Sequence, residues 1–183
     1  MQIISPGIIS LVEHLKQLDY LKLLGVEKCC SCGMADTLHR HGYYYRKPDR
    51  EANPVESLNP IKIQRFICTC CHKTYSVLPE CISPRRWYLW EVQQFVVQQR
   101  LLGKTWDLIS NGCGASIKTC RRWFNRLRDR FAWHADVLRN VAGSLCDVLS
   151  TSVDFKSFWQ KCFNEISLAR AMLLCHQAKI AIP

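Results

Sequence analysis

Hydrophobic positions change their period along this chain, and each change marks an element. Near the N-terminus, Ser5-Pro6 puts proline where a first helical turn tolerates it. Ile8, Leu11, Val12, Leu15, Leu18 and Leu21 follow at helical spacing before Gly25. This predicts one helix, or two short ones, within residues 1–27. From Leu38 to Lys47 the run LHRHGYYYRK is rich in strand-forming tyrosine. Ile61 to Ile67 (IKIQRFI) alternates apolar with polar or charged residues until its end. Between them PDREANPVESLNP is polar and proline-rich, the composition of a long hairpin loop.

The helical period returns after Pro84. Val92, Phe95, Val96 and Leu102 predict a helix of about three turns ending near Gly103. A shorter helix starts at Lys104-Thr105, capped by Thr105, with Trp106 and Ile109 turned inward. Asn111-Gly112-Cys113-Gly114 then forces a turn, because glycine admits positive backbone angles. Ser116 caps a third helix. Ile117, Cys120, Phe124 and Leu127 form its apolar face, and Lys118, Arg121, Arg122 and Asn125 lie opposite. Further on, Val137, Leu138, Val141, Leu145, Val148 and Leu149 suggest one amphipathic helix. Phe155, Phe158, Trp159, Cys162, Phe163 and Ile166 suggest another.

Cysteine spacing supplies the first chemistry. Cys29-x-x-Cys32 and Cys68-x-x-Cys71 are two short loops of the kind that give zinc four thiolates in a tetrahedron. Gly33 follows the first pair, where a knuckle turns back around its metal. Residues 33–67 separate the pairs, more than the ~15–20 of a compact double-knuckle site, so a loop must sit between them. The order knuckle, strand, loop, strand, knuckle predicts a zinc ribbon holding one structural Zn2+. His39, His41 and His72 lie nearby but would have to displace a cysteine from a complete set. Cys30 and Cys70 sit inside the knuckles and are the poorer ligands.

Composition then limits the classes. The chain has 183 residues and 12 cysteines. It opens without a basic, apolar secretory segment, and no apolar run approaches the ~18–20 residues of a membrane span. Metal-bound thiolates in a reducing cytoplasm fit better than a disulfide framework, and the expected location is cytoplasmic and nucleoid-associated. Cys113, Cys120, Cys146, Cys162 and Cys175 are expected to be small buried hydrophobes.

The net charge is +10, and it is concentrated. Between Pro84 and Arg130, Arg85, Arg86, Arg100, Lys104, Lys118, Arg121, Arg122, Arg126, Arg128 and Arg130 are opposed only by Glu91, Asp107 and Asp129. Such clusters attract polyanions by releasing condensed counterions. The cluster coincides with a short helix, a glycine turn and a longer helix, which together describe a DNA-binding helix-turn-helix. Arginine can pair doubly with guanine, and asparagine with adenine. Arg121, Arg122 and Asn125 are therefore assigned to base edges, and Ser116, Lys118, Thr119 and Arg126 to the phosphate backbone. Arg85-Arg86-Trp87-Tyr88 is either a minor-groove arm or a connection with buried aromatics, and the connection is the preferred reading.

The strings CCSCG, HRHGYYYR and RFICTCCHKTYSVLP resemble the zinc ribbon at the front of insertion-sequence transposases, and the small zinc-ribbon proteins associated with them. SIKTCRRWFNRL is similar to the recognition helix of transposase-type helix-turn-helix domains. The likeness covers residues 29 to about 130. Two departures stand out: Cys30 where the family usually has proline, and His72 where glycine is usual. The resemblance implies binding of transposon ends, with cutting performed by a separate RNase H-like domain. Such a domain gathers three carboxylates around two metals. Past Arg130 the carboxylates are Asp136, Asp147, Asp154 and Glu165, and no strand-rich core is visible to carry them.

The expected fold class is α+β, a small zinc ribbon followed by a mainly helical region. Its divisions are a helical segment at 1–27, the ribbon at 28–82, the helix-turn-helix at 83–130 and C-terminal helices at 131–183. Those last helices either complete the DNA-binding core or pair two copies as a homodimer. The expected function is zinc-dependent, transposon-associated recognition of double-stranded DNA without catalysis, with no membrane and no small-molecule substrate. The competing class is a zinc-ribbon module for protein interaction, and a further reading is a non-catalytic fragment of a split transposase. A nuclease or recombinase is the third class, tested by metal-dependent DNA cleavage.

Overall fold

The computed structural model describes residues 2–5, 7–17, 28–47, 60–84, 88–141, 149–151 and 154–178. The chain is α+β and divides into two compact units, Met1–Tyr88 and Leu89–Pro183. Each is built on its own core.

The first unit is a sheet with cysteine turns at one end. Strand β2 (Leu38–Arg46) pairs antiparallel with β3 (Ile61–Cys68), and β3 pairs antiparallel with β4 (Thr74–Pro79). The short strand β1 (Gln2–Ser5) joins parallel to β4, giving the order β1-β4-β3-β2. Alternation in β3 puts Ile61 and Ile63 wholly into the core, and Ile4, Ile8, Val77, Leu78 and Ile82 are buried with them. Helix α1 (Leu11–Gln17) places buried His14 so that its Nε2 lies 2.8 Å from the Lys62 carbonyl oxygen. Between Arg40 and Tyr43 the β2 register shifts; Gly42 there has φ +70, and its carbonyl accepts from Gln64 Nε2 at 2.6 Å.

The N-terminal expectation needs correction. Ser5 ends a strand instead of opening a helix, and the helix occupies only Leu11–Gln17 of the described residues. Leu18, Leu21 and Gly25 lie outside them. A four-residue strand added at a sheet edge has too few positions to show a period. Strand β4 was not anticipated either, although Tyr75 and Val77 alternate inward along it.

The second unit is helical among its described residues. It contains α2 (Trp90–Leu101), α3 (Trp106–Cys113), α4 (Ile117–Asp129), α5 (Phe131–Val141), α6 (Phe155–Glu165) and α7 (Leu168–Gln177). One core joins Trp90, Val97 and Leu101 of α2 to Leu127 of α4, Leu138 of α5, Phe158 and Trp159 of α6, and Met172 of α7. The C-terminal helices therefore contribute side chains to the same core as α2 and α4. Asp154 caps α6, accepting from the Lys156 and Ser157 N–H groups, and Ser167 caps α7. No helix among the described residues is long and apolar enough to cross a membrane.

The phase of α2 also differs from expectation. Trp90, Gln93, Val96, Val97 and Leu101 face inward, while Phe95 and Leu102 are exposed. Leu102 is the residue that ends the helix rather than part of its buried stripe. Of the stripe expected there, Val137, Leu138 and Leu149 are buried in the core, Val141 is exposed, and Leu145 and Val148 lie outside the described residues.

Candidate functional site

The two cysteine turns are built alike. In the first, Cys29 N–H donates to the Met34 carbonyl at 2.9 Å and Gly33 N–H to the Cys29 carbonyl at 2.8 Å. In the second, Cys68 N–H donates to the Lys73 carbonyl at 3.0 Å and His72 N–H to the Cys68 carbonyl at 2.9 Å. Each turn closes through a left-handed residue four positions after its first cysteine: Gly33 at φ +75 and His72 at φ +55. Glycine adopts that conformation freely and histidine does not. The turns are tied by Lys73 Nζ donating to Ser31 Oγ at 2.7 Å and Thr69 N–H donating to the Thr37 carbonyl at 2.9 Å.

This geometry brings Cys29, Cys32, Cys68 and Cys71 together, with all four Sγ atoms within 4.8 Å of one another. Cys29 and Cys71 are 3.6 Å apart, and Cys32 and Cys68 are 3.7 Å apart. A tetrahedron with metal–sulfur bonds of about 2.3 Å has edges of about 3.8 Å, so the four thiols fit a single ion. The four cysteines can hold a metal ion. Among the described residues no other group of three or more histidine, cysteine, aspartate or glutamate side chains gathers in this way. His39, His41 and His72 are exposed and stand outside the group, as do Cys30 and Cys70.

The contacts around the sulfurs shift Cys29 and Cys32 in opposite directions. Tyr75 Oη lies 3.0 Å from Cys29 Sγ in the interior, a residue the spacing of the cysteines did not single out. Burial pushes the Cys29 thiol up. Hydrogen bonds from Tyr75, from backbone at Cys32 and Ser31, and from the Cys32 side chain outweigh it and draw the thiol down to about 5. Cys32 goes the other way. The Met34 backbone draws it down, but burial and the crowding thiols of Cys29, Cys68 and Cys71 push it up to about 12. Four sulfurs at this spacing cannot all ionise without a cation between them. The Tyr75 hydroxyl is itself held above the ordinary phenol range by burial, then by its bond to Cys29.

The basic surface lies in the second unit. Thr105 caps α3 and accepts from the Leu108 N–H. The helix ends at Gly114 with φ +69, and Ser116 starts α4 by accepting from the Thr119 N–H at 3.3 Å. Ile109 of α3 and Cys120, Trp123 and Leu127 of α4 are buried. The inward line of α4 thus runs through Trp123, with Ile117 and Phe124 half-buried beside it. Trp123 sits at i+3 from Cys120, a signal obscured by the arginines around it.

Lys118, Arg121, Arg122, Asn125 and Arg126 are all exposed. Lys118, Arg121, Arg122 and Arg126 form no ion pair among the described residues; Arg128 pairs with its neighbour Asp129 at 3.5 Å. Arg121 is oriented by Trp106, whose ring centre lies 5.8 Å from its guanidinium carbon. Arg100 approaches the same ring at 4.8 Å. Ser116 and half-buried Thr119 are engaged with each other in the cap, their hydroxyls 3.0 Å apart. Of the Arg85-Arg86-Trp87-Tyr88 segment, only Tyr88 falls within the described residues.

A family model described as a domain of unknown function, DUF6431, matches residues 29–123. The chain belongs to the DUF6431 family. The DUF6431 match begins on the first clustered cysteine and ends on the buried tryptophan of α4, so it takes in the whole cysteine group and the start of the basic helix. No curated protein and no solved structure matches the chain.

Proposed function

We propose that this chain binds double-stranded DNA through α3 and α4, and that its cysteine group holds one structural Zn2+ in a ribbon fold. The carrying observation is the set of exposed cations on α4, Lys118, Arg121, Arg122 and Arg126, none paired with a carboxylate among the described residues. They surround Asn125 on a helix that follows a short capped helix and a left-handed glycine. That order supports a helix-turn-helix reading, in which the second helix enters the major groove.

Zinc is the proposed ion because an all-thiolate tetrahedral set with closed geometry suits a structural zinc site. Arg121, Arg122 and Asn125 read base edges, and Lys118 and Arg126 hold phosphates. Ser116 and Thr119 act first as the helix cap and present the N-terminus of α4 to the backbone. The resemblance to the front of insertion-sequence transposases supports a transposon-associated role, and no catalytic step is assigned to the chain.

Selection of the zinc-loaded protein against a random pool of duplex DNA tests the reading. Enrichment of one motif supports it, and a palindromic motif adds a two-fold dimer. A pool retained without enrichment leaves backbone binding alone, and failure to retain duplex DNA overturns the proposal.

A further inference from the structure

The sheet of the first unit carries a second surface that the helical reading does not use. Cross-strand partners in an antiparallel pair share a face. Arg40 is opposite Phe66, Tyr43 opposite Gln64, and Tyr45 opposite Lys62. These six side chains therefore share one face of the hairpin, while Ile61 and Ile63 on the other face are wholly buried in the core. Tyr43 and Tyr45 remain 51% and 62% exposed. Their rings meet edge to face, centroids 5.6 Å apart and planes at 82°, so they form two walls of a corner rather than a closed stack. Lys62 Nζ sits 4.0 Å from the centre of the Tyr43 ring.

Charge on this sheet has one sign. Residues 38–47 and 60–79 include Arg40, Lys47, Lys62, Arg65 and Lys73 but no aspartate or glutamate. Among the described residues strand β2 is the edge of the sheet, bonded only to β3, which leaves its outer side for an extended chain. Exposed aromatic rings among cations that form no ion pair among the described residues match a ligand that alternates flat rings with negative charges. A duplex does not fit this description, because its bases are stacked on one another and offer no free face to a tyrosine. Unpaired nucleotides do.

We propose that the Tyr43–Tyr45 face of the hairpin binds single-stranded nucleic acid. Bases stack on the two tyrosines, and Arg40, Lys47 and Lys62 follow the phosphates. This site uses no residue of α4, and the proposal does not depend on duplex binding there.

The test uses the zinc-loaded full chain with short labelled oligothymidylate and oligouridylate, and a mixed-sequence duplex for comparison. Tyr43→Ala with Tyr45→Ala should weaken oligonucleotide binding by about tenfold or more, since each base–aromatic stack contributes on that scale. Duplex binding should change by less than about twofold, because the substitutions touch no residue of α4. Tyr43→Phe with Tyr45→Phe keeps the rings and should keep the affinity. The stronger of the two oligonucleotide arms assigns the site to DNA or to RNA. Unchanged oligonucleotide affinity in the alanine pair, or equal losses on duplex and single strand, overturns the proposal. If wild type binds neither oligonucleotide, the proposal also fails and the face passes to a protein partner. A measurement on the unaltered chain guards against misfolding of the variants. Photocrosslinking to bromouracil-substituted oligonucleotides should place adducts on Tyr43 or Tyr45, and adducts confined to residues 89–183 would refute the site.

Discussion

The hydroxyl of Tyr75 lies 3.0 Å from the sulfur of Cys29, and both groups are buried. With an ion held by the four cysteines, a phenol hydrogen-bonded to the Cys29 sulfur would fix the orientation of that sulfur. Tyr75→Phe keeps the ring and removes the hydroxyl. Metal affinity should fall by about 10–100-fold, measured by competition with a chromophoric chelator. Unchanged affinity would mean the hydroxyl serves packing alone.

The two left-handed residues give opposite expectations. His72 at φ +55 adopts a conformation that costs a side-chain-bearing residue about 1–2 kcal/mol. His72→Gly should therefore raise the stability of the first unit by about 1 kcal/mol. Gly33 at φ +75 has open space around the position of a Cβ, so Gly33→Ala should cost about the same through backbone strain alone. Thermal unfolding of the metal-loaded chain measures both.

Metal removal should divide the molecule. The small cluster around Tyr75 contains Cys29, Cys68 and Cys71, three of the four cysteines that can hold the ion, whereas the core around Trp159 and Phe158 contains none of them. Cys68→Ser or chelation should abolish hydrogen-exchange protection in β2–β4 and leave that of α2, α4, α6 and α7 in place. Simultaneous loss across both units would contradict this.

His134 gives the second unit a pH dependence. Its ring is fully buried beside Trp159, and neither nitrogen has a hydrogen-bond partner among the described residues. Burial, then the charge of Arg130, lower its pKa to about 4. The unfolded chain takes up this proton near the ordinary histidine value of about 6.5. Between those values the unfolded state binds more protons, so stability is present above the unfolded pKa and falls as pH drops from about 6.5 toward 4. His134→Phe should flatten that slope in a pH series of melting temperatures, and an unchanged slope would assign it elsewhere.

Much of this architecture could be read from residues alone, for identifiable reasons. The cysteine pairs, the tyrosine strand and the Ser116 cap are local signals, each written within a few residues. The missed elements are those whose reasons are distant or lack a period. Strand β1 exists because β4 offers it an edge. Helix α7 buries Leu168, Ala171, Met172, Leu173 and Cys175, so apolar residues run nearly all around it and no stripe stands out. Tyr75 gains its role only when β4 folds beside the first cysteine turn, a contact 46 positions apart in the chain.

On α4, base-edge and phosphate contacts predict different losses. Arg122→Ala should lower affinity for a selected site by about 1–3 kcal/mol and relax its sequence preference. Arg126→Ala should weaken all duplexes about equally. Competition binding with matched and scrambled duplexes separates the two patterns.

Duplex affinity of the zinc-loaded chain as a function of salt tests the central claim most directly. Contacts from Lys118, Arg121, Arg122 and Arg126 predict a steep fall in affinity as salt rises, and Arg126→Ala should reduce the logarithmic slope by about 1. Binding insensitive to salt, or a slope unchanged in Arg126→Ala, would contradict recognition of DNA by this helix.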